Sequence, residues 1–160
     1  MYRMSRNFEA SIIKYIETNI ETDWDNVKVI KAFSKVATKY TDSTPVVCVQ
    51  VGITNHKFIE VGSTATSRNP LVIIDIFANN DGQKLDLKDY LVEILKKGMP
   101  YYEFIIEGGK ITGQISAGRI KILSILDVPI DLDIDKTTLS KVDKNRHRLT
   151  LTTTTNIREA

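Results

Sequence analysis

The sequence predicts an α+β fold, a single domain over residues 1–160 in which an antiparallel or mixed β-sheet packs against two main helices. Three observations predict it. Phe8, Ile12, Ile16 and Ile20 recur at steps of four, which draws one apolar stripe down a helix. Leu87, Tyr90, Leu91, Ile94 and Leu95 draw a second stripe with the same period. Around them lie β-branched runs too short for typical helices, of which Leu71-Val72-Ile73-Ile74-Asp75-Ile76-Phe77 is the clearest. The order helix, strands, helix, strands belongs to helices laid against one sheet. A chain of 160 residues buries roughly 70% of its unfolded surface, enough for one core.

The first helix runs from Ser5, a residue type suited to the N-cap, to Ile20, with Ile13 widening its stripe. The polar stretch 21–26 ends it, and Val27, Val29 and Ile30 read as a short strand. Phe33, Val36 and Tyr40 have the spacing of a short helical turn, and Thr41-Asp42-Ser43-Thr44-Pro45 is a turn cluster. Val46 to Val51 reads as a central strand, with Cys48 as an inert core thiol. Asn55-His56 fits a hairpin tip with a return strand from Phe58 to Val61, and Gly62 to Asn69 a long exposed loop. Pro70 opens the strand Leu71 to Phe77, and Asn79-Asn80-Asp81-Gly82 is a concentrated turn signal. The second helix follows, stopped by Gly98 and Pro100.

Beyond it, strands are expected over Tyr101–Ile106, Ile111–Ser116 and Arg119–Leu126, the first two joined by a hairpin turn at Glu107-Gly108-Gly109-Lys110. Glycines in tandem adopt positive φ at little steric cost, which is what such a turn requires. Ile130 to Asp135 alternates apolar and acidic residues, and Arg146 to Thr154 sets Leu149 and Leu151 against Arg148 and Thr150. Both patterns describe half-exposed strands.

Composition narrows the function classes. Net charge is +2, so the whole chain is not a polycation built to coat nucleic acid. One cysteine precludes an intramolecular disulfide, no run approaches the roughly 20 apolar residues of a membrane span, and the start lacks the apolar region of a secretory signal. The expectation is a soluble protein made in a cytoplasm, with no membrane partner.

Catalytic and metal motifs are weak. Asp131-Leu132-Asp133-Ile134-Asp135 fails as an EF-hand, because Lys136 and Val142 stand where the loop needs its glycine and its bidentate glutamate. His56 and His147 have no zinc-ligand spacing, and Gly108-Gly109-Lys110 is not a complete phosphate loop. Asp75 in an apolar strand invites a nuclease reading, but no cluster of partner acids with a lysine follows locally, and a place on the exposed side of the strand is expected. No catalytic residue, cofactor or metal ligand is assigned. One charge asymmetry remains: from Lys136 to Ala160, six Lys or Arg face two acids, a local net charge of +4. That strip suits DNA phosphates, an acidic neighbouring subunit, or plain solvation.

Leu71 to Ala78, then Asn79-Asn80-Asp81-Gly82-Gln83-Lys84-Leu85-Asp86-Leu87-Lys88-Asp89-Tyr90-Leu91, resembles the strand, polar turn and helix of neck, tail-completion and tail-terminator proteins of tailed bacteriophages. The order of the surrounding elements is similar too: an N-terminal helix, a Val-rich strand, a strand opened by Pro45, and a strand pair leading into the segment. The resemblance implies a non-enzymatic α+β virion subunit that forms an oligomeric ring joining head to tail around the DNA channel. Its implied partners are copies of itself, neighbouring neck, portal-adaptor or tail proteins, and non-specific contact with DNA. The implied location is the virion, after synthesis in the host cytoplasm. The chain departs from the pattern over 127–160, which reads as a strand-rich C-terminal extension. Arg68, Lys110, Lys144, Arg146 and Arg148 are the candidates for subunit interface or DNA channel. The threonine-rich strand 150–155 is expected to offer an unpaired edge for a neighbouring subunit, and the acidic strand around Asp131 to complement the basic strip around Arg146. The rival readings are a head-completion or tail-tube protein, a metal-dependent nucleic-acid enzyme using Asp75, and a monomeric host-directed binding protein.

Overall fold

The structure, a computed structural model, describes residues 4–31, 45–59, 61–62, 64, 66–129 and 148–159. The expected turns at 33–40 and 41–44 and the acidic strand 130–135 lie outside these residues, as do Lys144, Arg146 and His147. Among the described residues two helices and six strands follow in the order α1 (Met4–Asp23), β1 (Lys28–Lys31), β2 (Val46–Phe58), β3 (Thr66–Phe77), α2 (Asp81–Lys96), β4 (Met99–Glu107), β5 (Lys110–Pro129) and β6 (Arg148–Glu159). The strands form one mixed sheet in the order β1-β2-β3-β6-β5-β4, parallel only between β1 and β2. The α+β expectation agrees with this architecture.

The principal core lies between the helices and one face of the sheet. The stripe Phe8, Ile12, Ile16 and Ile20 of α1 and the stripe Leu87, Leu91, Ile94 and Leu95 of α2 meet Val47, Val49, Val72, Ile74, Ile76, Leu149 and Leu151. Period-2 alternation sends the neighbouring residues to the other face, where Ile30, Val46, Cys48 and Phe77 form a smaller buried cluster. The helices are tied to each other by phenols: Tyr15 Oη donates to Ile94 O at 2.8 Å, and Tyr90 Oη lies 2.7 Å from Asn19 O and 2.8 Å from Asp23 Oδ2.

The sheet curls so that its two edge strands both meet α1. On β4, Tyr102 N donates to Ser11 Oγ at 3.0 Å and Phe104 N to Asn7 Oδ1 at 3.4 Å. On β1, Lys31 pairs with Glu9 at 3.4 Å. Asn7 and Ser11 are therefore buried polar residues beside an apolar stripe, placed there to satisfy edge amides that would otherwise lie unpaired.

Several boundaries differ from the sequence expectation, each for a physical reason. Ser5 lies inside the first turn of α1. Asn80 is the N-cap of α2, its Oδ1 accepting from Gln83 N at 2.8 Å, so the turn signal at Asn79–Gly82 is a helix start. Asn55 and His56 do not turn: they pair with Asn69 and Arg68, and β3 begins at Thr66. Pro70 sits inside that strand near the register shift between Val51 and Thr54, where the ladder is already interrupted. Gly98, at φ 73, ends α2, and Gly108 and Gly109, at φ 56 and 80, make the expected β4–β5 turn. The two strands expected on either side of residue 117 are one continuous β5.

The largest correction concerns β6. The expected edge strand is an interior one, paired to β3 from Leu71↔Thr154 to Phe77↔Arg148 and to β5 from Gly118↔Glu159 to Pro129↔Leu149. From Leu149 to Thr154 its backbone is thus paired on both sides, and residues 148–159 form a strand of the sheet. Leu149, Leu151, Thr153 and Thr155 alternate onto the helix-bearing face and are all buried.

Candidate functional site

Tracing strand directions through the sheet shows which of its hairpins share an end. β3 and β6 are antiparallel, as are β6 and β5, and β5 and β4, so the β2–β3 tip and the β4–β5 tip project from the same end. Both hairpins outrun their neighbours there. β3 leaves β6 after Leu71↔Thr154, and the pairs Thr54↔Pro70 to Phe58↔Thr66 stand as a two-stranded arm. β5 leaves β6 below Gly118, so residues 110–116 pair with β4 alone.

Side chains fasten the root of the β2–β3 arm where the backbone ladder stops. Thr155 Oγ1 donates to Pro70 O at 2.8 Å, and Asn156 Nδ2 reaches Ser67 Oγ at 3.0 Å and Asn69 Oδ1 at 2.8 Å. On the helix-bearing face the arm leans on the first turn of α1, where the Arg68 guanidinium meets the Met4 thioether. Met4, Ser5, Phe8, Val51, His56 and Arg68 are among the residues enclosing a small cleft at this junction.

Toward its tip the arm turns apolar. Ile53, Phe58, Ile59 and Val61 are 81%, 71%, 63% and 108% exposed. On the second hairpin Ile105, Ile111 and Ile115 are also exposed. Scattered apolar side chains are ordinary on a protein surface, but these gather on two hairpins at one end of the molecule.

The predicted basic candidates do not form one strip. Arg68 sits half-buried at the root of the first arm, and Lys110 is exposed at the tip of the second. Arg148 begins β6 opposite Phe77, at the far end of the sheet from both. Lys144 and Arg146 lie outside the described residues, as does the acidic partner strand around Asp131.

Asp75 is not on an exposed side of its strand. It is 1% exposed, opposite Cys48 on β2 and Thr150 on β6, and accepts a hydrogen bond from Thr150 Oγ1 at 2.6 Å. That donor comes from a strand 75 residues away, which is what lets a carboxylate be buried within an apolar run. Among the described residues no three His, Cys, Asp or Glu side chains converge as a metal site, and no helix is long and apolar enough to cross a membrane. Lys88 bridges Asp89 at 3.2 Å and Asp127 at 3.6 Å, its ammonium held protonated above the usual lysine range chiefly by the hydrogen bond to Asp89.

The apolar hairpins are the feature that sequence reasoning missed. The signal was present in Ile53, Phe58, Ile59 and Val61, but Asn55-His56 read as a hairpin tip, which made Phe58 to Val61 a return strand. Compared with models of known families the chain matches none, and no curated protein matches its sequence.

Proposed function

We propose that this chain is a structural virion protein of a tailed phage, a single-domain subunit of an oligomeric ring in the neck or at the tail terminus, joining head to tail around the DNA channel. The observation that carries the reading is the segment Leu71 to Leu95 in its setting. It folds as strand, Asn80 cap and amphipathic helix, and it follows α1, β1 and the β2–β3 pair in the order that the resemblance implies. The two apolar hairpins at one end support the same reading, because obligate assemblies keep such surface for their neighbours. The partners in this reading are copies of the chain and the adjoining neck, portal-adaptor or tail proteins.

Negative-stain electron microscopy of the purified protein tests the proposal, with closed rings of uniform diameter as the expected result. A chain that stays monomeric at high concentration and in the presence of adjoining neck and tail components contradicts it. The enzymatic alternative has its own test: divalent-metal-dependent DNA cleavage, abolished by Asp75→Ala in a protein that still folds, would replace the ring reading with a nuclease.

A further inference from the structure

A cation stands without an acid at the root of the β2–β3 arm. The Arg68 guanidinium is half-buried there, and among the described residues its one hydrogen bond goes to the Met4 thioether. A thioether is a weak acceptor, whereas a guanidinium carries five N–H donors in a planar fork. A partly buried charge in that condition is costly until an anion pairs with it.

Other polar side chains gather at the same gap. Register sets His56 directly opposite Arg68, with Thr54 two residues before it opposite Pro70. Together with Ser5 from the first turn of α1, these groups line a void of about 30 Å³. None of Ser5, Thr54 and His56 has a side-chain hydrogen bond within the described residues. Phe8, Val51 and Pro70 supply an apolar wall, and no Asp or Glu lines the cleft. The first turn of α1 holds no acidic residue either, so the positive end of that helix adds to the field of Arg68.

We propose that this cleft binds a single carboxylate, gripped by the Arg68 fork with Ser5, Thr54 and His56 as further donors. The inference goes beyond the ring reading and holds whether or not the chain forms rings. Charge selects an anion, because the lining carries a cation and no acid. Size selects a small one: the void has room for about one or two water molecules, which suits the head of a carboxylate and excludes a base or a sugar. The flat guanidinium matches a flat carboxylate through two parallel hydrogen bonds, and the apolar wall suits the short carbon stem behind it. A phosphate brings more bulk and a second charge, for which the cleft has no second arginine or lysine. The carboxylate belongs either to a small free acid or to an acidic side chain of a protein, and the two sources are separable by experiment.

NMR titration at constant ionic strength tests the site, with the Met4 methyl and the Arg68 Nε–H as reporters. Sodium acetate is expected to shift both signals saturably, with a dissociation constant on the order of 1–10 mM, while sodium chloride leaves them in place. Arg68→Lys keeps the charge and loses the fork, so it should weaken acetate binding by roughly fivefold or more; Arg68→Met should abolish saturation at the Met4 methyl. Unchanged amide signals on β5 and α2 in both variants show that the fold is kept. A capped Gly-Glu-Gly peptide that binds more tightly than acetate assigns the ligand to an acidic side chain, and the reverse order assigns it to a small acid. The proposal is overturned by equal shifts with chloride and acetate, by inorganic phosphate binding more tightly than acetate, or by acetate binding that persists undiminished in Arg68→Lys and Arg68→Met.

Discussion

Thr153 and Thr155 permit an internally controlled test of how β6 holds the sheet together. They lie two residues apart on the same face of the same strand, and both are fully buried. Thr155 Oγ1 donates to Pro70 O at 2.8 Å, whereas Thr153 Oγ1 has no hydrogen-bond partner among the described residues. The same isosteric substitution, Thr→Val, should therefore have opposite signs. Thr153→Val exchanges a desolvated hydroxyl for a methyl that packs in the core and should stabilise by about 1 kcal/mol. Thr155→Val removes a buried bond, leaves the Pro70 carbonyl without it, and should cost about 1–3 kcal/mol. For a chain of this size each kcal/mol moves Tm by roughly 2–4 °C, so the two variants should separate by several degrees. Urea unfolding and scanning calorimetry, run at one protein concentration because assembly raises apparent stability, provide the measurement. Equal losses at both positions, or a loss at Thr153 with none at Thr155, would refute the argument that the hydroxyl of Thr155 takes over from the β3–β6 ladder.

Three further predictions follow from the same geometry. Gly98→Ala forces a side chain to adopt φ 73 and sets its Cβ 3.3 Å from Ile120 O, so it should cost at least about 1–2 kcal/mol in thermal or urea unfolding. Ser11→Ala strips the acceptor from Tyr102 N at the β4 edge and should cost about 1–2 kcal/mol, with faster amide exchange at Tyr102 as its local signature. The Tyr90 phenol is held above the ordinary value of 10.0, first by burial and then by its hydrogen bond to Asp23. Above pH 10 the unfolded chain therefore releases a proton that the folded one keeps, and stability falls as pH rises until the folded group also ionises. Tyr90→Phe should make that alkaline decline shallower, and an unchanged slope would rule out Tyr90 as its source.

Much of this fold was legible because its strongest signals are local. The α1 and α2 stripes, the Leu71–Phe77 run and the Gly108-Gly109 turn each depend on residues within a few positions of one another. What was hidden depends on partners distant in sequence. Thr153 and Thr155 continue the inward alternation begun by Leu149 and Leu151, but a threonine-rich strand reads as solvent-facing unless one knows that the Pro70 carbonyl accepts a hydrogen bond from the Thr155 hydroxyl. Asp75 was misplaced for the same reason, since Thr150 lies on the last strand. Asn7 and Ser11 are a helix turn apart on the edge of an apolar stripe, and only the presence of β4 explains them. At Asn55-His56 local turn propensity pointed one way, and cross-strand pairing with Arg68 and Asn69 prevailed.

The spatial placement of the basic candidates was not legible in the sequence. Arg68 and Lys110 lie toward the projecting end, one on the first arm and one at the tip of the second, and Arg148 lies at the other end of the sheet. Charge counting along the chain could not reveal this, because the antiparallel order of β3, β6 and β5 decides which residues share an end.

The central claim is that this chain works as a member of a closed ring. Native mass spectrometry of the purified protein over a rising concentration series tests it most directly. The account predicts one discrete oligomer that grows at the expense of monomer and gives way to no larger species. A monomer at every concentration, also with adjoining neck and tail components present, or an open-ended series of oligomers with no preferred size, would contradict it.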